Sequence, residues 1–187
     1  MIGKLSTQIQ RISTGRRVLF LLLVFIGTNL FFTLSPASPI ARMMTFSNGS
    51  ILDMEFNYSP DRVYQVLQAY GADGRGFYAS TFAIIDFFTP ILMNLFLAMT
   101  ISILFRQAFL PDNPLHRLNL LPMIAMIGDY LENLGIVLMI HSYPTQLIAL
   151  ARFTAFSTNV KFVFTIASGV CILAGLVIWM IKRRQMK

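Results

Sequence analysis

Four long apolar stretches separated by short polar segments dominate the chain. A bilayer core about 30 Å thick takes roughly 20 helical residues to cross, and residues 18–34, 77–105, 118–140 and 150–181 approach or exceed that length. The first stretch is opened by Arg16 and Arg17 and closed by Ser35 and Pro36, where the missing N–H of proline stops a helix. The third ends ahead of Tyr143 and Pro144. Residues 1–17 and 182–187 read as basic tails, and 106–117 and 141–149 as short connections. The pattern predicts an all-α integral membrane four-helix bundle with a long outer first loop at 35–76.

Within that loop Ser59, Pro60 and Asp61 read as an N-cap, a proline at the first helical position and an acid on the positive end of the helix dipole. Val63, Val66, Leu67 and Tyr70 then fall at i, i+3, i+4 and i+7, and Gly71 supplies the stop. A short amphipathic helix at about 60–70 follows, expected as a lid packed on the bundle. Tyr58, Tyr64, Tyr70 and Tyr78 suit headgroup depth. Asn48, Gly49 and Ser50 match a glycosylation acceptor in form.

Composition narrows the class. The chain is 56% apolar and 12% charged, with a mean hydropathy of +0.66, which excludes an ordinary soluble globule. A lone Cys171 inside an apolar run removes a disulfide framework. The net charge of +7 would suggest nucleic acid if it formed a patch, but it divides by topology instead. Lys4, Arg11, Arg16, Arg17, Arg106, Arg117, Lys182, Arg183, Arg184 and Lys187 fall on one side, with Asp112 as the acid there. Arg42, Arg62, Arg75 and Arg152 on the other are balanced by Asp53, Glu55, Asp61 and Asp73. The positive-inside rule then places both termini in the cytoplasm, in a bacterial inner membrane or an endomembrane. An uncleaved first span is preferred to a cleaved signal peptide, because the apolar run exceeds a usual signal core and Pro36 sits badly beside a cleavage site.

Ionisable side chains in hydrocarbon cost a few kcal/mol and need partners or a wet cavity, so the polar residues inside the spans carry the functional reading. They are Asp86 in the second span, Asp129 and Glu132 with Asn133 in the third, and Lys161 in the fourth. A rise of about 1.5 Å per residue puts all four charges roughly 12–17 Å below the same boundary, in one layer. Asp129, Glu132 and Asn133 share one helix face. Thr154, Thr158, Lys161, Thr165 and Ser168 form a polar stripe with Asn159 near its edge, and the second span adds Thr89, Pro90 and Asn94. Three carboxyls against one ammonium cannot all stay charged in a low dielectric, which calls for a proton or a cation. The competing reading is an ion pair that only fixes helix register. His116 is expected in a solvated turn and His141 at the interface. No HExxH pattern, nucleophile elbow or Cys/His pairing occurs, so neither a metal site nor a cofactor is expected.

The run from Tyr70 to Tyr78, followed by Asp86 and Pro90 in the next span, resembles the EXPERA-type membrane proteins, the family of the emopamil-binding sterol isomerase and the sigma-2 receptor. The resemblance covers at most the second to fourth spans. It implies a lipid-accessible cavity with Asp86 as the second-helix carboxylate, Glu132 or Asp129 as the third-helix acid and Asn159 as the fourth-helix asparagine. It would also imply a sterol-like or other amphiphilic ligand and a proton shuttle to a carbon–carbon double bond. Trp179 lies at the inner end rather than near Asn159, and Lys161 is outside the family pattern.

Three functions remain open. The favoured one is a chamber that binds a lipid-like or amphiphilic molecule and can act on it, with Asp86, Asp129 and Glu132 as acid and base groups and Asn94, Asn133, Thr158, Asn159 and Lys161 lining the site. The others are a proton- or cation-coupled transporter or channel and a non-catalytic membrane partner or scaffold. Whether the protein is an enzyme stays open. Membrane lipids are the expected partners, with a second copy or another membrane chain as further ones, and no nucleic acid.

Overall fold

Proline, glycine and capping residues divide the apolar pattern into eight helices in the computed structural model, which describes residues 2–47 and 49–185. They are α1 (Ile2–Ile12), α2 (Gly15–Leu34), α3 (Pro39–Ser47), α4 (Pro60–Ala69), α5 (Gly71–Phe77), α6 (Ala83–Ala108), α7 (Leu121–Ser142) and α8 (Ile148–Gln185). A single 3-10 turn lies at Leu52–Met54 and a seven-residue 3-10 helix at Pro114–Leu120. Among the described residues there is no strand. Four helical stretches are long and apolar enough to cross a membrane. Asn48, the expected glycan acceptor, lies outside the described residues.

The caps and stops expected at Ser35, Ser59 and Gly71 are in place, and Thr14 adds a cap that was not expected. Thr14 Oγ1 accepts from Arg17 N at the start of α2, and Ser35 terminates that helix in extended backbone. Ser59 Oγ accepts from Arg62 N at the start of α4, with Pro60 at its first position. Gly71 adopts φ +64, the left-handed conformation that ends a helix and favours glycine. The chain re-enters a helix at once, so the second long helix starts at Gly71 rather than near Phe77. A π-helical turn at Tyr78–Phe82 joins α5 to α6.

α7, α8 and α6 form the centre, and α2 packs beside α6 and α3. α7 and α8 meet most closely where α7 carries glycine. A Cβ on Gly128 would stand 2.9 Å from both Lys161 N and Ser157 O, and one on Gly135 would stand 2.0 Å from Thr154 Oγ1. Close backbone approach therefore fixes the level of Lys161 against α7.

Three further expectations are corrected. Residues 1–17 contain a helix rather than a tail: α1 buries Ser6 and Ile9, with Ser13 just beyond it, and Arg106 donates to Gln10 O and Ser13 O at 2.7 and 2.6 Å. His116 is buried rather than solvated, its Nε2 standing 2.9 Å from Leu110 O. The tyrosines Tyr58, Tyr64, Tyr70 and Tyr78 are core residues, each at most 7% exposed. Their rings fill the space between the loop and the bundle, where Val63, Val66 and Leu67 of α4 pack with Ile136, Met139 and Ala151.

Candidate functional site

The face of α7 toward α8 and α6 carries Asp129, Glu132 and Asn133, all buried. Thr154, Thr158 and Ser168 of the α8 stripe are buried as well. Between the two helices lies Lys161, its side chain 13% exposed. Four oxygen atoms surround its ammonium: Glu132 Oε2 at 2.5 Å, Asp53 Oδ1 at 2.6 Å, Asp53 O at 2.9 Å and Asp129 Oδ1 at 3.1 Å.

Asp53 belongs to the loop, where the charge pattern set it among the solvated outer acids. The 3-10 turn instead folds it inward. Ile51 and Leu52 are buried beside it, and Tyr70 Oη accepts from Leu52 N at 3.0 Å, so the turn is anchored on both sides. The loop also contributes Tyr58, whose hydroxyl stands 2.8 Å from Thr158 Oγ1 and 3.5 Å from Glu132 Oε1. Thr158 donates to Glu132 Oε1 at 2.6 Å. Burial, followed by the nearby Glu132 carboxylate, pushes the Tyr58 phenol well above its usual range, which keeps its proton available for donation.

Asp86 is held differently. Asn133 Nδ2 donates to its Oδ2 at 2.6 Å and Thr89 to its Oδ1 at 2.9 Å, while Tyr78 donates to Asn133 Oδ1 at 3.2 Å. No Lys or Arg forms a salt bridge with Asp86 among the described residues. Carboxylate oxygens of Asp53, Asp86 and Asp129 lie within 4.8 Å of one another, a spacing that a cation bridges. The Lys161 ammonium fills that place for Asp53 and Asp129. The site thus gathers four carboxyls around one ammonium, an excess of negative charge larger than the three-to-one count from the spans alone.

A cavity of about 420 Å³ opens beside this cluster. Its charged end presents Asp53, Asp86, Asp129 and Lys161. Its walls are mostly apolar, with Phe25 and Phe32 of α2 facing Phe82, Ile85 and Met93. Glu132 is fully buried behind them, with a side-chain exposure of 0%.

The structure therefore brings together Asp86, Asp129, Glu132, Asn133, Thr158 and Lys161. It leaves two of the expected residues apart. Asn159 donates to Asn57 at 3.4 Å at the loop edge, and Asn94 lies two turns beyond Asp86 along α6, on the cavity wall. Asp53 and Tyr58 were missed. The available sign for Asp53 was its position inside the apolar run Ile51, Leu52, Met54. Comparison of the chain with protein-family models, with curated proteins and with solved structures returns no match.

Proposed function

We propose that the protein is an integral membrane protein whose chamber binds a lipid-like or amphiphilic small molecule and acts on it through carboxylate acid–base chemistry. Both termini lie in the cytoplasm and the segment from Ser35 to Tyr70 outside it, as the division of basic residues supports. The observation that carries this reading is the cavity itself, apolar along its walls and charged at one end. Small-molecule pockets of about 300–1,000 Å³ have this construction, with a few polar groups fixing orientation. At about 420 Å³ the cavity suits a single chain or a compact ring system.

The carboxyls divide by their partners. Asp86 faces the cavity without a paired cation, so it is the group placed to meet a proton or a positive centre on the ligand. Asp129 and Asp53 reach the cavity but share Lys161. Glu132, buried behind them, holds Lys161 and Thr158 in place and acts as a positioning residue. Copurified lipid analysed by mass spectrometry tests the reading: one amphiphile should be enriched over bulk membrane lipid, and Asp86→Asn should abolish the enrichment. No enrichment in wild type, or enrichment indifferent to Asp86→Asn, refutes it.

Cation-coupled transport is the second reading, drawn from the spacing of Asp53, Asp86 and Asp129. Below Asn94, however, α6 buries Ala98, Met99 and Ile101, an apolar plug on any path through the bundle. Cation flux into liposomes that disappears on Glu132→Gln would favour transport over binding.

A further inference from the structure

At the other end of the bundle, α6 and α8 touch at Gly175, where a Cβ would stand 3.0 Å from Leu104 Cβ and 3.2 Å from the Phe105 ring. One turn on, Trp179 stands where that glycine allowed contact, and a groove of about 490 Å³ opens between the helix ends, lined by Gln107, Trp179, Lys182 and Gln185. α8 carries no acid, and the acid of α6, Asp86, lies at its opposite end. The carbonyls at the end of α6 would repel an anion, but Lys182 covers one of them, donating from Nζ to Ala108 O at 2.6 Å. An ammonium has three donors, and the others of Lys182 have no partner among the described residues. The Arg183 guanidinium lies over the Trp179 ring at 5.4 Å. Neither Lys182 nor Arg183 forms a salt bridge among the described residues.

The groove thus offers amide donors and unpaired cations beside an aromatic ring. Toward the middle of α8, Leu173, Leu176 and Met180 are exposed, and their spacing of three and four puts them on one face that leads to Arg183. We propose that this groove holds the headgroup of an anionic phospholipid from the cytoplasmic leaflet, its phosphate at Lys182 and Arg183 and one acyl chain along Leu173, Leu176 and Met180. This rests on the membrane topology proposed above and is independent of the chamber's ligand.

The chain's single tryptophan is Trp179, so its fluorescence reads occupancy of the groove. The full-length protein is reconstituted into bilayers in which either phosphatidylglycerol or phosphatidylcholine carries bromine on its acyl chains. Bromine quenches at contact, and because it rides on the chains, a free phosphate ion gives no signal. Phosphatidylglycerol should occupy the site about fivefold more tightly than phosphatidylcholine, the worth of one basic group near anionic charge. Lys182→Gln keeps a donor for Ala108 O and removes the charge, and should bring the preference close to one. Lys4→Gln, on α1 and outside the groove, should leave it unchanged. Arg183→Gln should lower it in part, and makes the same comparison if Lys182→Gln does not fold. Equal quenching by the two lipids in wild type, a preference that survives both groove variants, or one that falls as far in Lys4→Gln overturns the site. If neither lipid quenches Trp179, the membrane topology falls with it.

Discussion

Replacing Lys161 with methionine removes the counter-charge from three carboxylates at once. Its side chain and those of Asp53, Asp129 and Glu132 are 13%, 11%, 9% and 0% exposed, so water cannot make up the loss. Removing one partner of a buried ion pair costs about 3–5 kcal/mol. In a chain of this size each kcal/mol moves the unfolding midpoint by roughly 2–4 °C. Lys161→Met should therefore lower the midpoint by about 6–20 °C, measured in detergent by scanning fluorimetry. The pattern of rescue is more telling than the loss. Glu132 has no access to solvent, so adding Glu132→Gln should recover most of the stability. Asp86 is bound by Asn133 and Thr89 and not by Lys161, so adding Asp86→Asn should recover little. An unchanged midpoint for Lys161→Met, or equal rescue by the two neutralisations, would refute the assignment of Lys161 as the charge that holds the cluster together.

Three other outcomes follow from the geometry. Gly128→Ala should destabilise by at least about 1–3 kcal/mol, since its methyl meets α8 backbone that cannot rotate away, whereas Gly169→Ala, with open space around it, should be neutral by the same assay. Tyr58→Phe removes one hydroxyl from the Thr158 and Glu132 chain and should cost about 1 kcal/mol, seen as a midpoint a few degrees lower. Arg62 holds the Glu55 carboxyl below its usual range, chiefly by hydrogen bonding, one bond running from Nε to Oε2 at 2.8 Å. A depressed folded-state pKa contributes stability above the ordinary glutamate range and loses it as the pH falls through the folded value. Amide protection factors in residues 50–62, taken relative to the intrinsic rate at each pH, should thus fall on acidification, modestly because the pair is partly exposed, and Glu55→Gln should flatten the response.

The apolar periods were enough to place the four long helices, because burial in any apolar medium demands the same runs. The polar residues of α7 and α8 were legible for the same reason, since a stripe at i, i+3 and i+4 has one face to share. Asp53 was not. Loop residues carry no period, and the rule that assigned it to solvent counts charges by side without knowing which turn folds inward. The tyrosines were misplaced because an amphipathic ring suits an interface and a hydrogen-bonded core equally. The helical character of residues 2–12 was masked by their charge, which sits on one face while Ser6 and Ile9 pack on the other.

α2 is fastened by hydrogen bonds at its ends and held by apolar contact between them, with Phe25 stacked on Phe96 at a ring-centroid distance of 6.0 Å. Below, Arg106 and Arg17 grip the carbonyls where α1 gives way to it; above, Ser38 donates to Phe32 O at 2.9 Å. Along its length no residue is fully buried, and the space around Gly27 is open. It nevertheless supplies Phe25, Thr28 and Phe32 to the cavity. The cavity's charges stand on α6, α7, α8 and the turn at Leu52–Met54, and none on α2. Substitutions at Phe25 or Phe32 therefore alter the width of the cavity without touching a carboxyl, so its size and its charge reside in separate parts of the molecule.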